Sequence, residues 1–211
     1  MITLYTWTTP NGRKISILLE ELGIPYQIRP VNLGKNEQFL PEFLKVSPNN
    51  KIPAIVDDEA EGGALTLFES GAILTYLAEK HHQFLGSSST ERYKTLEWLY
   101  WQMSAIGPIF GQLGFFAVRS EEKSPLAIKR FVEESDRLLG VLERQLGVST
   151  YVAGESYTIA DIAIYPWVFA AKTFLKDTLA NSFANKPALA RWLTLIESRP
   201  AVQRGMQVPQ V

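Results

Sequence analysis

Pro48-Asn49-Asn50-Lys51-Ile52-Pro53-Ala54-Ile55-Val56, followed by Leu65-Thr66-Leu67-Phe68-Glu69-Ser70-Gly71-Ala72-Ile73, decides the reading of this chain. The first stretch passes from polar turn residues into a short apolar run through an Ile-Pro pair. Pro53 has no backbone donor, and its ring holds Ile52 extended. Ile52 is therefore expected to begin a strand with its N–H and C=O directed at something outside the sheet. An extended peptide is the natural partner, by strand addition. The second stretch reads as an apolar strand that ends at a Glu-Ser pair opening a helix. A helix start carries unpaired N–H groups and the positive end of the dipole, so it attracts carboxylates. An edge that pairs with a peptide and a socket for a carboxylate suit a short peptide with a free α-carboxylate. Each feature taken singly has a plainer reading: Ile-Pro punctuates a strand, and Glu-Ser caps a helix.

Working outward, Ile2-Thr3-Leu4-Tyr5-Thr6-Trp7 is short, β-branched and aromatic, as a buried strand is. After a turn at Thr8-Thr9-Pro10-Asn11-Gly12, the residues Ile15, Leu18, Leu19 and Leu22 follow helical spacing, and Gly23 stops the helix. A second strand is expected over 26–31, and Phe39, Phe43 and Leu44 mark a short irregular helix before Pro48. Residues 53–56 and 65–68 read as a hairpin with an acidic, solvated tip, and Ile73, Leu74, Leu77 and Ala78 as the next helix. The order, βαβ, an irregular α, then ββα, is the thioredoxin-like one: a mixed sheet with helices on both faces.

The texture changes after His82. Gly86-Ser87-Ser88-Ser89 is a polar break, and from Thr90 onward the pattern is helical only. Leu96, Leu99, Tyr100, Met103 and Phe110 read as one face of a helix bent at Gly107-Pro108; Ile128, Phe131, Val132, Leu139, Leu142 and Leu146 form the next stripe. Thr158-Ile159-Ala160-Asp161 is an acidic capping box, with Tyr157 and Ile162 placed as a hydrophobic staple. Leu189, Trp192, Leu193 and Ile196 define a late helix ending at Arg199-Pro200. The expected fold class is α/β plus all-α: a thioredoxin-like domain over 1–81, a linker over 82–89 and an all-helical domain over 90–211.

Composition narrows the function. A chain of 211 residues, 46% hydrophobic and 20% charged, has ample core for a soluble globular protein. A net charge of −1 argues against nucleic acid as the main partner, since phosphate binding needs a basic surface. No apolar run reaches membrane-spanning length, and the first residues read as a strand rather than a charged leader, so a cytoplasmic location is expected. There is no cysteine, hence no protein thiol to act as nucleophile or ligand. Any thiol chemistry must use a thiol that the ligand brings. The two histidines, His81 and His82, are adjacent and point apart, so no metal site is expected.

Across essentially its whole length the chain resembles the cytosolic glutathione transferases. Thr9-Pro10-Asn11-Gly12-Arg13-Lys14, Leu33-Gly34-Lys35, Gln38-Phe39, Pro41-Glu42-Phe43 and Ser47-Pro48-Asn49-Asn50-Lys51-Ile52-Pro53 are similar to the bacterial Nu class, glutathione transferases with disulfide-bond reductase activity. The resemblance implies a homodimer, a cis bond before Pro53, and glutathione as bound co-substrate with no metal. It implies that Ile52, beside Pro53, pairs its backbone with the cysteinyl unit, that Glu69 and Ser70 hold the γ-glutamyl end, and that Gln38 and Lys51 reach the glycine end. Arg130 matches an arginine that acts on bound glutathione or its disulfide, and reads otherwise as a solvated helix charge. The catalytic position falls at Thr9 together with Asn11, and Asn11 is also expected to contact the ligand. A hydroxyl and an amide aimed at sulfur, beside a helix start, favour the thiolate over the thiol, whose ordinary pKa is about 8.5. Thr9 also reads as a helix cap followed by Pro10. Tyr5 is the competing hydroxyl, placed within a strand.

Two function classes remain open on the sequence. One is an enzyme of the detoxification type that uses glutathione thiolate to reduce small disulfides, to conjugate electrophiles, or both. The other is a non-catalytic glutathione-binding or protein-interaction module of the same fold. Retention of Ser70, Thr9 and Asn11 favours the enzyme. Phe110, Leu113, Phe115, Phe116 and Trp167 have two readings, lining for a second-substrate cleft or core and dimer contact.

Overall fold

In β1 (Ile2–Thr6), Ile2, Leu4 and Thr6 are buried and alternate with half-buried Thr3 and Tyr5. Such period-two patterning belongs to a strand with one face against a core. The computed structural model describes residues 1–211. These form two compact units, Met1–Gln83 with Glu197–Val211, and Phe84–Ile196.

In the first unit β1 leads through a turn into α1 (Pro10–Leu22), whose Ile15, Ile17, Leu18 and Leu19 are wholly buried. Gly23 ends it in the left-handed region, φ 65°, where a residue without Cβ is unstrained. β2 (Tyr26–Pro30) follows, then two 3₁₀ turns, Leu33–Lys35 and Glu37–Phe39, and the short α2 (Pro41–Leu44). β3 (Ala54–Asp57) and β4 (Leu65–Phe68) form the hairpin, and α3 (Ser70–His81) closes the segment. The sheet order is β2-β1-β3-β4, with β1 and β2 parallel and the other pairs antiparallel. This is the expected thioredoxin-like arrangement. One detail differs: the ladder begins at Ala54, opposite Tyr5, so Ile52 precedes β3 instead of opening it. Pro53 explains the offset, because it has no N–H to give to a ladder. The buried Asp57 fastens the hairpin to α3, accepting from Tyr76 Oη at 2.7 Å, from Lys80 and from the amide of Glu59. Burial pushes this carboxyl up, but Lys80, Tyr76 and the Glu59 amide together outweigh burial and hold it below the usual carboxylate range.

The second unit is helical: α4 (Ser89–Trp101), α5 (Gly107–Gly114), α6 (Pro125–Leu146), α7 (Ile159–Phe174), α8 (Lys176–Phe183) and α9 (Pro187–Glu197), the last ending at the unit boundary. The expected bend at Gly107-Pro108 is a π-helical segment, Gln102–Ile106, and a second one, Phe115–Arg119, ends the same run. Pro108 cannot donate to the preceding turn, and a widened turn accommodates it. The face of α4 differs from the expected one at Tyr100, which is 62% exposed. The buried stripe steps by three through Leu96, Leu99 and Gln102, and this step drifts round the helix away from Tyr100. At the start of α7, Thr158 and Asp161 make a reciprocal capping box.

The last residues return to the first unit, where the sequence reading had assigned 90–211 to the second part. Here α10 (Pro200–Gly205) packs on α1 so closely that a Cβ at Gly205 would lie 2.6 Å from Ile17 Cα. Ser16 Oγ donates to the Gly205 carbonyl at 2.6 Å, and Arg199 and Arg204 pair with Glu21 and Glu20. No helix is long and apolar enough to cross a membrane.

Candidate active site

Sheet register gathers the expected residues of the first unit. Ala54 lies opposite both Tyr5 and Phe68, and Thr6 is level with Pro30. The chain therefore leaves β1 toward Thr9, leaves β2 toward Gln38, enters β3 from Ile52 and leaves β4 toward Ser70 at one end of the sheet. Residues scattered from 9 to 70 converge there because β1, β2 and β4 run one way and β3 runs the other.

Thr9 caps α1. Its backbone is extended, its Oγ1 accepts from the Gly12 amide at 3.2 Å, and Pro10 occupies the first helical position. Accepting uses a lone pair of the hydroxyl, so its proton remains available to a ligand sulfur. Gly12 permits this geometry: a Cβ there would sit 2.4 Å from Thr6 Oγ1 and from the Trp7 carbonyl oxygen. The helix thus begins hard against the end of β1. Asn11 is half-buried in the same turn. Tyr5 is placed differently, packing its ring 6.1 Å from Phe43 against a cluster of Val31, Phe43, Ile52 and Ala54.

The peptide edge is built by a turn. Ser47 Oγ donates to the Lys51 carbonyl at 2.8 Å, and the Asn50 amide donates to the Ser47 carbonyl at 2.9 Å. Asn50 takes φ 50°, a conformation that asparagine tolerates better than most residues. The Ile52–Pro53 bond is cis, as the resemblance implied, and both residues are buried. Lys51 is exposed. Gln38 is half-buried, and its Oε1 is buried with no hydrogen-bond partner within the protein.

At the socket, Glu69 sits at the N-cap of α3 with φ 72° and ψ 112°, and no side chain caps the helix. A non-glycine residue there is strained by about 1–3 kcal/mol. Glu69 is exposed, and Ser70, 4% exposed, is the first helical residue. Behind Ser70 lies Lys14 of α1, with no exposed surface, its Nζ donating to Ser70 Oγ at 3.2 Å. Burial pushes the Lys14 ammonium down to about 7, against the pull of the nearby Glu69 carboxylate.

These features have counterparts in known proteins. Residues 1–79 match the family description "Glutathione S-transferase, N-terminal domain", and 107–200 match "Glutathione S-transferase, C-terminal domain". The chain is 47% identical to disulfide-bond oxidoreductase YfcG of Escherichia coli, over 100% of this chain and 97% of that one. The chain belongs to the glutathione transferase family. Among solved structures, a family member from Pseudomonas fluorescens with two glutathione bound is 48% identical, with a TM-score of 0.94 over 99% of this chain and 93% of that one. A glutathione transferase from Pseudomonas putida, with one glutathione disulfide bound per subunit, is 45% identical, with a TM-score of 0.95 over 99% of this chain and 91% of that one.

Sequence reasoning missed the burial of Lys14 beside Ser70 in this glutathione transferase. A lysine four residues before Leu18 lies on the apolar face of α1, and that position is the available signal. In the second unit Phe110 and Leu113 are core, at 2% and 0% exposure. Phe115 is exposed, Phe116 stacks on Phe131, and Trp167 lies 3.5 Å from where Cβ atoms at Gly107 and Gly111 would stand. Arg130 lies on α6 with its side chain in solvent. No group of three His, Asp or Glu side chains is placed to hold a metal ion.

Proposed function

We propose that this glutathione transferase binds glutathione at the sheet end of its first unit and uses the bound thiolate to reduce small disulfides. The observation that carries the reading is the uncapped start of α3, where Ser70 has the buried Lys14 behind it and Glu69 in front. The γ-glutamyl end of glutathione is a zwitterion, with an ammonium for Glu69 and a carboxylate for Ser70 and the helix start. In this reading Ile52 and Pro53 offer backbone to the cysteinyl unit, and Gln38 and Lys51 serve the glycine carboxylate. Arg130, on the resemblance, acts on bound glutathione or its disulfide. Thr9 and Asn11 donate to the sulfur and favour the thiolate.

The thiolate attacks one sulfur of a disulfide, forming a mixed disulfide and expelling a thiolate that takes up a proton. A second glutathione then attacks the mixed disulfide, giving glutathione disulfide and a second thiol. No protein sulfur takes part, in keeping with a chain that has no cysteine. Relatives crystallised with two glutathione or with glutathione disulfide hold the reductant and the oxidised product of such a sequence. The same thiolate can attack an electrophilic carbon, so conjugation shares the first step. The protein acts as a cytoplasmic homodimer in this reading, and light scattering near twice 23.7 kDa is the check on assembly.

The test is retention on glutathione-agarose followed by steady-state kinetics with glutathione and a small disulfide, and with a model aryl halide. Removing a donor aimed at developing negative charge typically lowers turnover about a hundredfold or more. Thr9→Ala and Asn11→Ala are each expected to lower turnover, and the double variant to lose most activity while still binding glutathione. Wild-type turnover by the double variant would move the assignment to Tyr5. A wild-type protein that turns over neither substrate would favour the non-catalytic module.

A further inference from the structure

α1 is buried on two faces. One is the apolar stripe of Ile15, Leu18 and Leu19. The other runs through Arg13, Ser16, Ile17, Glu20 and Glu21, at helical spacing but mostly polar. Ser16 and Ile17 are nonetheless wholly buried, because α10 lies over them. Ser16 Oγ donates to the Gly205 carbonyl at 2.6 Å, its longer contact being 3.2 Å to the Arg13 carbonyl within the helix. A Cβ at Gly205 would stand 2.6 Å from Ile17 Cα and 2.7 Å from its nitrogen. At the far end of α1, Arg199 holds Glu21 by two bonds of 2.6 and 2.8 Å, and Arg204 Nε donates to Glu20 at 2.6 Å.

These contacts do what the apolar stripe cannot. Apolar burial is non-directional, so it holds α1 against the sheet but lets it slide along its own axis. Gly12 limits how near α1 can come to β1, not how far it can withdraw. Lys14 reaches Ser70 on a flexible four-carbon stem, which tolerates a small slide. The short, angle-dependent bonds to residues 199–205 resist it.

We propose that Ser16 and Gly205 are positioning residues for the thiol chemistry: through them the segment from Arg199 to Gly205 sets where the first turn of α1 presents Thr9 and Asn11. The inference rests on the proposed use of Thr9 and Asn11 as donors to the sulfur of bound glutathione. Ser16 follows Thr9 by seven residues. That is about 10 Å along a rigid helix, so a slide at one is a slide at the other. A misplacement of about 1 Å, caused far from the chemistry, can cost about a hundredfold in rate.

The experiment compares wild type with Gly205→Ala, Ser16→Ala and Tyr76→Phe. Calorimetry with glutathione gives the affinity and the number of competent sites. Turnover of a small disulfide is then expressed per competent site, so that misfolded protein drops out. In Gly205→Ala the new Cβ must part the two backbones by about 1 Å to reach an ordinary carbon–carbon contact. Turnover per site should fall by about tenfold to a hundredfold, while glutathione affinity, set mostly by residues on other elements, changes by no more than about threefold. Ser16→Ala keeps the close approach and loses only the hydrogen bond, so turnover per site should fall by about threefold to tenfold. Tyr76→Phe removes a hydrogen bond to Asp57 at the opposite end of the sheet and should leave turnover per site at the wild-type value. Amide exchange gives a reading independent of activity: the Gly12 amide, bonded to Thr9 Oγ1, should exchange faster in Gly205→Ala than in wild type.

Wild-type turnover per site in Gly205→Ala, or in Ser16→Ala should the first variant not fold, overturns the inference and leaves the glutathione site intact. An equal fall in Tyr76→Phe does the same, because it marks the loss as one of stability. Failure of wild type to bind glutathione or to turn over the disulfide overturns the proposed function itself, and the inference with it.

Discussion

The starts of α3 and α7 pose one physical problem, and the protein solves it in opposite ways. Each is the beginning of a long helix with several backbone N–H groups lacking an intrahelical partner. At α7 the protein supplies the carboxylate itself. Asp161, wholly buried, accepts from the amides of Val152 and Thr158 at 3.0 and 3.1 Å and from Trp192 Nε1 at 2.9 Å. Thr158 completes the box, its Oγ1 accepting from the Ala160 amide at 3.3 Å. At α3 there is no capping side chain, the N-cap residue is strained, and a lysine is buried behind the first turn. A helix start closed by its own acid is a folding element. One left open, with positive charge behind it, is shaped for an acid from outside. Their electrostatics agree: burial pushes Asp161 up to about 6 against its four hydrogen bonds, and pushes Lys14 down to about 7.

The largest break in this comparison is expected at the closed end. Asp161→Ala leaves three buried N–H donors, those of Val152, Thr158 and Trp192, without their acceptor. At about 1–3 kcal/mol for each unmet buried group, the variant should lose about 3 kcal/mol or more. Chemical denaturation measures it. A loss below about 1 kcal/mol would show that water or a rearranged side chain replaces the carboxylate, and α7 would no longer contrast with α3.

These two ends were not equally legible in the sequence. The box at 158–161 is local, four residues whose partners are mostly each other, and local patterns survive in a single sequence. The socket is not local. The sequence marks Ser70 as the proposed carboxylate partner, but the lysine behind it comes from position 14, and only the packing of α1 against α3 brings the two together. The order of elements along the chain was readable because turn residues and apolar alternation mark each element. The departure of Ile52 from the ladder was not, since it depends on where pairing with Tyr5 begins. The return of Glu197–Val211 to the first unit left no periodic trace; its cause is the contact between Gly205 and Ile17, distant in sequence. The outward rotation of Tyr100 was hidden for a related reason, because spacing alone does not say whether a stripe steps by three or by four.

A smaller effect is expected at the open end, and on binding more than on folding. Ser70→Ala removes the hydroxyl between Lys14 and the ligand's carboxylate. The range for a hydrogen bond to a charged group left unmet is about 1–3 kcal/mol, so glutathione affinity should fall by between roughly fivefold and 150-fold. Calorimetry on the folded variant reads it directly. Unchanged affinity would mean that the helix start and Lys14 suffice without the hydroxyl, which would break the analogy with Thr158 at α7.

The smallest effect sharpens the comparison most, because its sign is unusual. Glu69 holds φ 72° and ψ 112°, a region open to glycine and strained for glutamate. Relief of that strain in Glu69→Gly is worth about 1–3 kcal/mol, and the greater freedom of glycine in the unfolded chain takes back roughly 0.4–1 kcal/mol. The variant should therefore be more stable than wild type, by about 1 kcal/mol. It should also bind glutathione more weakly, by no more than about 1 kcal/mol, because the carboxylate it removes is exposed and meets the ligand's ammonium in solvent. Opposite signs in the two measurements would mark Glu69 as a residue kept for the ligand at the expense of the fold, the reverse of Asp161. Loss of stability in Glu69→Gly would show instead that the Glu69 side chain supports the start of α3, and the two helix starts would then differ in degree only.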